Sequence, residues 1–216
     1  MFDYQKAFIR YALDCGVLKF GEFQLKSGRI SPYFFNTGLF NTGARLGKLG
    51  EFYAQALRQA NLDVDILYGP AYKGIPLVSA IAIAYARSSG RDIPFAFNRK
   101  EVKDHGEGGS IVGTPLSGNV LIVDDVITAG TSVRESVAII RSAGAIPAGV
   151  LIALDRQEQG QDGRSATQEV SLNYDMSVYS IITLTDIVDY LRTETHDALA
   201  VDTIVEYQRK YGIQRD

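Results

Sequence analysis

The stretch Val120-Leu121-Ile122-Val123-Asp124-Asp125-Val126-Ile127-Thr128-Ala129-Gly130-Thr131-Ser132 decides how the rest of the chain is read. Four apolar residues without a polar break predict a short strand with both faces covered. That strand delivers two adjacent carboxylates to a small turn rich in hydroxyls. A helix then runs from Ser132 to Ala143, with Val133, Val137 and Ile140 on one face. Ser132 and Glu135 have capping-box spacing, which predicts the helix start at Ser132. First-turn amides lack intrahelical partners and carry partial positive charge, so the turn suits a phosphate. Gly130 lets the backbone come close, and Thr128, Thr131 and Ser132 supply hydroxyl donors. Asp124 and Asp125 can accept hydrogen bonds from sugar hydroxyls, and the whole suggests a ribose 5-phosphate site. Two other readings stay open on spacing alone. Paired aspartates after a strand also serve magnesium sites in receiver domains and nucleotide hydrolases, and Thr-Ala-Gly-Thr-Ser can be a plain helix cap. The segment is not a Walker A loop, because the Gly-Lys-Ser/Thr ending is missing.

Outward from this stretch, strand and helix alternate. Strands are predicted at Val64 to Tyr68, Ile93 to Phe97, Ala148 to Leu154 and Ser177 to Thr183, and a helix at Gly74 to Ala86. Repeated strand–helix–strand units imply an α/β fold with a mostly parallel central sheet and helices on both faces. Two more helices, Asp186 to Leu191 and Ala198 to Tyr211, are predicted near the end. The N-terminal part reads as a helix ending at Gly16, then short strands at Val17 to Phe23 and Ser31 to Asn36, then a helix from Ala44. In parallel sheets ligands bind beyond the carboxyl ends of the strands. The loops after Tyr68, Phe97, Val123 and Leu154 are therefore the ones to search.

Three of those loops carry further candidates. Gly69-Pro70-Ala71-Tyr72-Lys73-Gly74 is a second strand-to-helix turn that can bind phosphate, or serve as a plain helix cap. Asn98 to Gly118 holds five of the 21 glycines together with Arg99, Lys100, Lys103 and His105. Its length predicts a mobile lid over a polyanion, the alternative being a charged hairpin in which Ile111 to Leu116 pairs as a strand. Arg156 can clamp a carboxylate with two parallel hydrogen bonds. Phe34 and Phe35 can stack on a flat ring, although adjacent aromatics on a strand usually send one into the core.

Composition narrows the function. The 216 residues carry 22 basic and 25 acidic side chains, a net charge of −3, so a chain-wide basic footprint for nucleic acid is absent. The most apolar stretch, Ile75 to Ala86, is too short for a membrane span of roughly 20 residues. A single cysteine excludes an intrachain disulfide and an all-cysteine metal cluster. With no secretory leader at the start, the cytoplasm is the expected location.

Val120 to Ser132 resembles the phosphoribosyl-pyrophosphate (PRPP) signature of the type I phosphoribosyltransferases, residue class by residue class. Other segments resemble the orotate-using, bacterial branch of that family. They are Leu25-Lys26-Ser27-Gly28 with Ser31-Pro32-Tyr33-Phe34, Gly69 to Pro76, Arg99 to Gly108, and Leu154-Asp155-Arg156. The resemblance implies one phosphoribosyltransferase domain over 1–216, with about residues 1–40 forming a small α+β hood over the base. It implies transfer of a phosphoribosyl group from PRPP to orotate, giving orotidine 5′-monophosphate and pyrophosphate. It assigns PRPP to Lys26, Tyr72, Lys73, Arg99, Lys100, Lys103, His105 and the run Asp124, Asp125, Val126, Ile127, Thr128, Ala129, Gly130, Thr131 and Ser132. Catalysis falls to Lys26, Lys103, His105, Asp124 and Asp125, and orotate to Phe34, Phe35, Thr128 and Arg156. Mg2+ is implied through substrate oxygens and water, with no protein metal ligand. A homodimer is implied, with the Arg99 to His105 segment closing over the partner's site, and neither nucleic acid nor membrane as partner. Two alternatives are a purine-base transferase, which Arg156 argues against, and a sugar-phosphate-sensing regulator that binds DNA or RNA, which the charge argues against.

Overall fold

The computed structural model describes residues 1–25, 27–103, 109–128, 130–160 and 162–213, with the side chains of 101–103 left out. The chain opens with α1 (Asp3–Asp14), the antiparallel pair β1 (Leu18–Gln24) and β2 (Ile30–Phe35), and α2 (Gly43–Ala60). There follow β3 (Ile66–Gly69), α3 (Gly74–Ser89), β4 (Phe95–Lys103), β5 (Gly109–Gly113), β6 (Asn119–Val123), α4 (Thr131–Ser142) and β7 (Ile146–Asp155). The last elements are α5 (Ala166–Tyr174), β8 (Val178–Thr183), α6 (Leu184–Tyr190) and α7 (Ala198–Tyr211).

The main sheet has the order β5-β4-β3-β6-β7-β8, parallel throughout except for β5 at one edge. The period of two along its strands feeds two cores. Leu67, Leu121, Val123, Leu151 and Ala153 face one, with α1, α2, α3, α6 and α7. Ile66, Tyr68, Val120, Ile122, Val150 and Ile152 face the other, with α4 and α5. Phe8, Phe35, Phe40 and Phe52 join the first core, with Phe8 and Phe52 rings 5.2 Å apart. The N-terminal elements therefore rest on the same apolar mass as the sheet.

The order also locates the site. The β3–β4 crossover, α3, buries Leu77, Val78 and Ile81 in the first core. The β6–β7 crossover, α4, buries Val133, Val137 and Ile140 in the second. β3 and β6 are hydrogen-bonded neighbours, Tyr68 opposite Ile122, and their chains leave to opposite faces. Such a switch point leaves a crevice at the carboxyl ends.

Two expectations are corrected. The segment from Asn98 is not a long loop. β4 continues to Lys103 and pairs antiparallel with β5, Phe97 opposite Val112 and Asn98 opposite Ile111, so the hairpin alternative holds. The half-buried Ile111 packs on the second core, which draws this arm onto the sheet. The second correction is α5, which was not expected.

Candidate active site

The turn after β3 is closed by two glycines in contact. The Gly74 amide donates to the Pro70 carbonyl at 2.9 Å. A Cβ on Gly74 would lie 2.6 Å from the Gly69 carbonyl carbon, and one on Gly69 would overlap the Gly74 carbonyl. Between them Tyr72 projects outward, 69% exposed. The side-chain carbonyl of Asn98 on β4 accepts from the Ala71 amide at 2.8 Å. Lys100 Nζ lies 5.0 Å from the Tyr72 ring centroid.

The turn after β6 holds Asp124 and Asp125, both buried. Asp125 Oδ2 accepts from Lys73 Nζ at 2.7 Å and from the Thr37 hydroxyl at 2.6 Å. Its Oδ1 accepts from the Val126 amide at 2.9 Å. Asp124 Oδ1 accepts from the Asp125 amide at 2.8 Å and Oδ2 from the Ser132 hydroxyl at 2.9 Å. The buried Tyr53 hydroxyl on α2 donates to the Asp124 carbonyl at 2.8 Å, which fixes the strand end from below. Burial, and then the Asp125 charge, push the Asp124 carboxyl up to about 6. A carboxylate offers about four lone-pair sites, so both acids retain capacity for sugar hydroxyls.

The helix after this turn starts differently from expectation. Gly130 is the N-cap, at φ 66° and ψ 2°, and α4 begins at Thr131 with no side-chain cap. The Ser132–Glu135 capping box does not form, because the Ser132 hydroxyl is committed to Asp124. Without a capping side chain, the first-turn amides stay open to an anion. Thr128 and Thr131 are exposed at its mouth. Val126 packs on the first core and Ile127 on the second, so these two support the turn from beneath. Ala129 lies outside the described residues.

Beside the turn is a cavity of about 640 Å³ lined by Leu25, Ser27, Ile127, Thr128, Arg156 and Glu158, among others. It brings together Thr128, Arg156 and the hairpin turn on either side of Lys26. Neither Phe34 nor Phe35 lines it. Phe35 packs edge-on to Phe8, and Phe34, 40% exposed, stacks on Phe23 at 5.4 Å. Arg156 is already engaged: Nη2 lies 2.7 Å from Glu158 Oε1, and Nε donates to the Tyr33 hydroxyl at 3.1 Å. Lys26 and His105 lie outside the described residues, as does the side chain of Lys103.

Thr37, Tyr53, Asn98, Tyr33 and Glu158 were missed as site residues. Tyr33 and Asn98 lie in segments singled out in the sequence but carry no assigned role there, and no local sequence signal marks Thr37, Tyr53 or Glu158 as site residues. For a metal the donor set is sparse. Among the described residues no group of three or more His, Cys, Asp or Glu side chains is placed to hold one. Two acids, one of them neutralised by Lys73, suit Mg2+ that keeps waters and phosphate oxygens as ligands, rather than a protein cage.

A phosphoribosyl transferase domain family model matches residues 37–191. Orotate phosphoribosyltransferase of Methylococcus capsulatus is 62% identical over 212 residues, 98% of this chain and 99% of that protein. The protein of the same name from Hahella chejuensis is 58% identical, over 99% of this chain and all of that one. Among solved structures, orotate phosphoribosyltransferase of Francisella tularensis superposes with a TM-score of 0.87 at 45% identity, covering 95% of this chain and 99% of that one.

Proposed function

This chain belongs to the phosphoribosyltransferase family, and from that membership we infer that it transfers the 5-phosphoribosyl group of PRPP to orotate, giving orotidine 5′-monophosphate and pyrophosphate in pyrimidine nucleotide synthesis. The observation that carries the choice of base is the cavity shared by Thr128 and Arg156 directly beside the β6 turn. A neutral purine has no carboxylate for that arginine.

The chemistry follows from charge. Breaking the bond from the anomeric carbon to pyrophosphate develops positive charge on the ribose and negative charge on the leaving group. The open amides of Thr131 and Ser132 at the start of α4, with the hydroxyls of Thr128 and Thr131, hold the 5-phosphate. Asp124 and Asp125 take the ribose hydroxyls and offset the charge on the ring. Lys73 and Tyr72 take the pyrophosphate, with Arg99, Lys100, Lys103 and His105 supplied by the β4–β5 arm and Lys26 by the hairpin turn. The attacking nitrogen belongs to an anionic flat ring, so orientation and water exclusion matter more than a strong base. Mg2+ held with the substrates beside Asp124 and Asp125 would supply further neutralisation of the leaving group.

The working unit in this reading is a homodimer in which the β4–β5 arm of one subunit reaches the other's site. The arm's position at the sheet edge, with β5 outermost, supports that. No helix among the described residues is long and apolar enough to cross a membrane. Cys15, the chain's one thiol, suits a reducing compartment, and we place the enzyme in the cytoplasm. The test is loss of orotate absorbance with PRPP and magnesium. No consumption of orotate by folded protein overturns the reading. Lys103→Ala is expected to lose turnover far more than stability.

A further inference from the structure

Arg156, Glu158 and Tyr33 form a closed triangle that joins the two parts of the molecule. Arg156 and Glu158 follow β7 of the main sheet, and Tyr33 comes from β2 of the small one. Arg156 Nη2 bonds Glu158 Oε1 at 2.7 Å, Arg156 Nε donates to the Tyr33 hydroxyl at 3.1 Å, and that hydroxyl donates to Glu158 Oε1 at 2.8 Å. All three side chains are largely withdrawn from solvent, Glu158 at 14% and Arg156 at 25% exposure. The Tyr33 ring is fixed in turn by Tyr207 of α7, whose ring meets it at 90° and 6.3 Å.

The backbone is shaped for this. Gln157, between the two charged residues, has φ 52°, a left-handed conformation uncommon outside glycine. Asp155 Oδ1 accepts from its amide at 2.9 Å, and its own side-chain oxygen accepts from the Thr185 amide and hydroxyl at 3.1 and 2.7 Å. Its side chain is thus engaged at Thr185, while those of 156 and 158 meet each other.

A carboxylate beside an anion-binding arginine is an electrostatic liability, since it weakens the pull on any anion. Orientation accounts for it. The guanidinium is a rigid planar fork, so tying down Nε and Nη2 fixes the direction of the remaining corner. Nη1 has no hydrogen-bond partner among the described residues, and Arg156 lines the cavity that also holds Thr128.

We propose that Glu158 and Tyr33 are positioning residues that aim Arg156 at the carboxylate of the base, and so set the affinity for orotate without touching it. The proposal rests on the reading that Arg156 receives that carboxylate. Because Glu158 acts as an acceptor and not as a charge, its amide isostere serves as well.

The test is steady-state kinetics of the whole enzyme with each substrate varied in turn. Glu158→Ala is expected to raise KM for orotate about tenfold or more, the scale of one lost charge-assisted hydrogen bond. KM for PRPP is expected to stay within about twofold. Glu158→Gln is expected to keep KM for orotate near or below the parent value, and Tyr33→Phe, which keeps the ring, to raise it. Arg156→Ala with Glu158→Ala is expected to be no worse than Arg156→Ala alone. An unchanged KM for orotate in both folded Glu158→Ala and Tyr33→Phe, an equal rise in KM for PRPP, or failure of Glu158→Gln to rescue overturns the proposal. An unchanged KM for orotate in Arg156→Ala instead overturns the underlying assignment of that arginine.

Discussion

Lys73 Nζ stands 2.7 Å from Asp125 Oδ2, so the cation of the turn after β3 is paired with the acid of the turn after β6. Lys73 is well exposed, and a half-exposed pair of this kind contributes at most about 1 kcal/mol to stability. Lys73→Ala is therefore expected to shift the melting temperature by only a few degrees while turnover falls about a hundredfold, the scale of one lost donor to a developing charge. Calorimetry and the orotate assay check the two halves separately.

Asp124 gives a pH prediction with a definite sign. Its carboxyl is raised from 3.8 to about 6 by burial and by Asp125, so between those values the folded state holds more protons than the unfolded chain. Its contribution is then present at low pH, is lost as pH rises from about 4 to about 6, and is flat above. The change is about 2–3 kcal/mol. Subtracting the Asp124→Asn stability curve from the parent's, by urea denaturation at a series of pH values, is expected to isolate this fall. Activity runs the other way, because the ionised form is the better acceptor for a ribose hydroxyl.

Removal of divalent metal by a chelator is expected to abolish orotate consumption and leave the melting temperature of the ligand-free protein unchanged. In the proposed mechanism the metal is carried by the substrates, so its removal takes nothing from the fold. A large fall in melting temperature on chelation would sink this.

The shared-site proposal predicts complementation. Lys103→Ala and Asp125→Asn are each expected to be nearly inactive. Unfolded together and refolded, they are expected to recover about a quarter of the parent rate, because half the dimers are mixed and each mixed dimer holds one intact site. No recovery, with mixed dimers demonstrated, places the arm over its own subunit.

Gly69→Ala is expected to cost more than about 2 kcal/mol, since its new methyl overlaps the Gly74 carbonyl and backbone cannot yield. Gly47→Ala, inside α2 with nothing within 4 Å of the added methyl, is expected to stabilise by about 0.4–1 kcal/mol. Denaturant midpoints of the two variants make the comparison.

Legibility in the sequence followed locality. Val120 to Val123 was readable as a strand because an unbroken apolar run reports burial on both faces. The helix expected from Ala44 is α2, and Leu49, Tyr53, Ala56 and Leu57 recur at helical spacing on its buried side. Capping shows the limit. Ser132–Glu135 has the right spacing yet forms no box, because a carboxylate eight residues upstream takes the hydroxyl. Ser165–Gln168 does form one, at the start of α5, which was not foreseen. The same pattern gave opposite outcomes, decided by a partner outside the motif. For the same reason Thr37 on Asp125, Tyr53 on the Asp124 carbonyl and Tyr33 on Arg156 were invisible: each joins residues 71 to 123 positions apart.

The adjacency of β3 and β6 makes the sheet a ruler. The turns after β3 and β6 begin at strands in direct hydrogen-bonded register, about 4.8 Å apart, so the points from which they diverge are fixed by the sheet. A ligand carrying a monophosphate and a pyrophosphate at the span of a single pentose can engage both turns at once. In the proposed reading, the backbone hydrogen bonds of the sheet thus take part in placing the two phosphate sites on either side of the sugar.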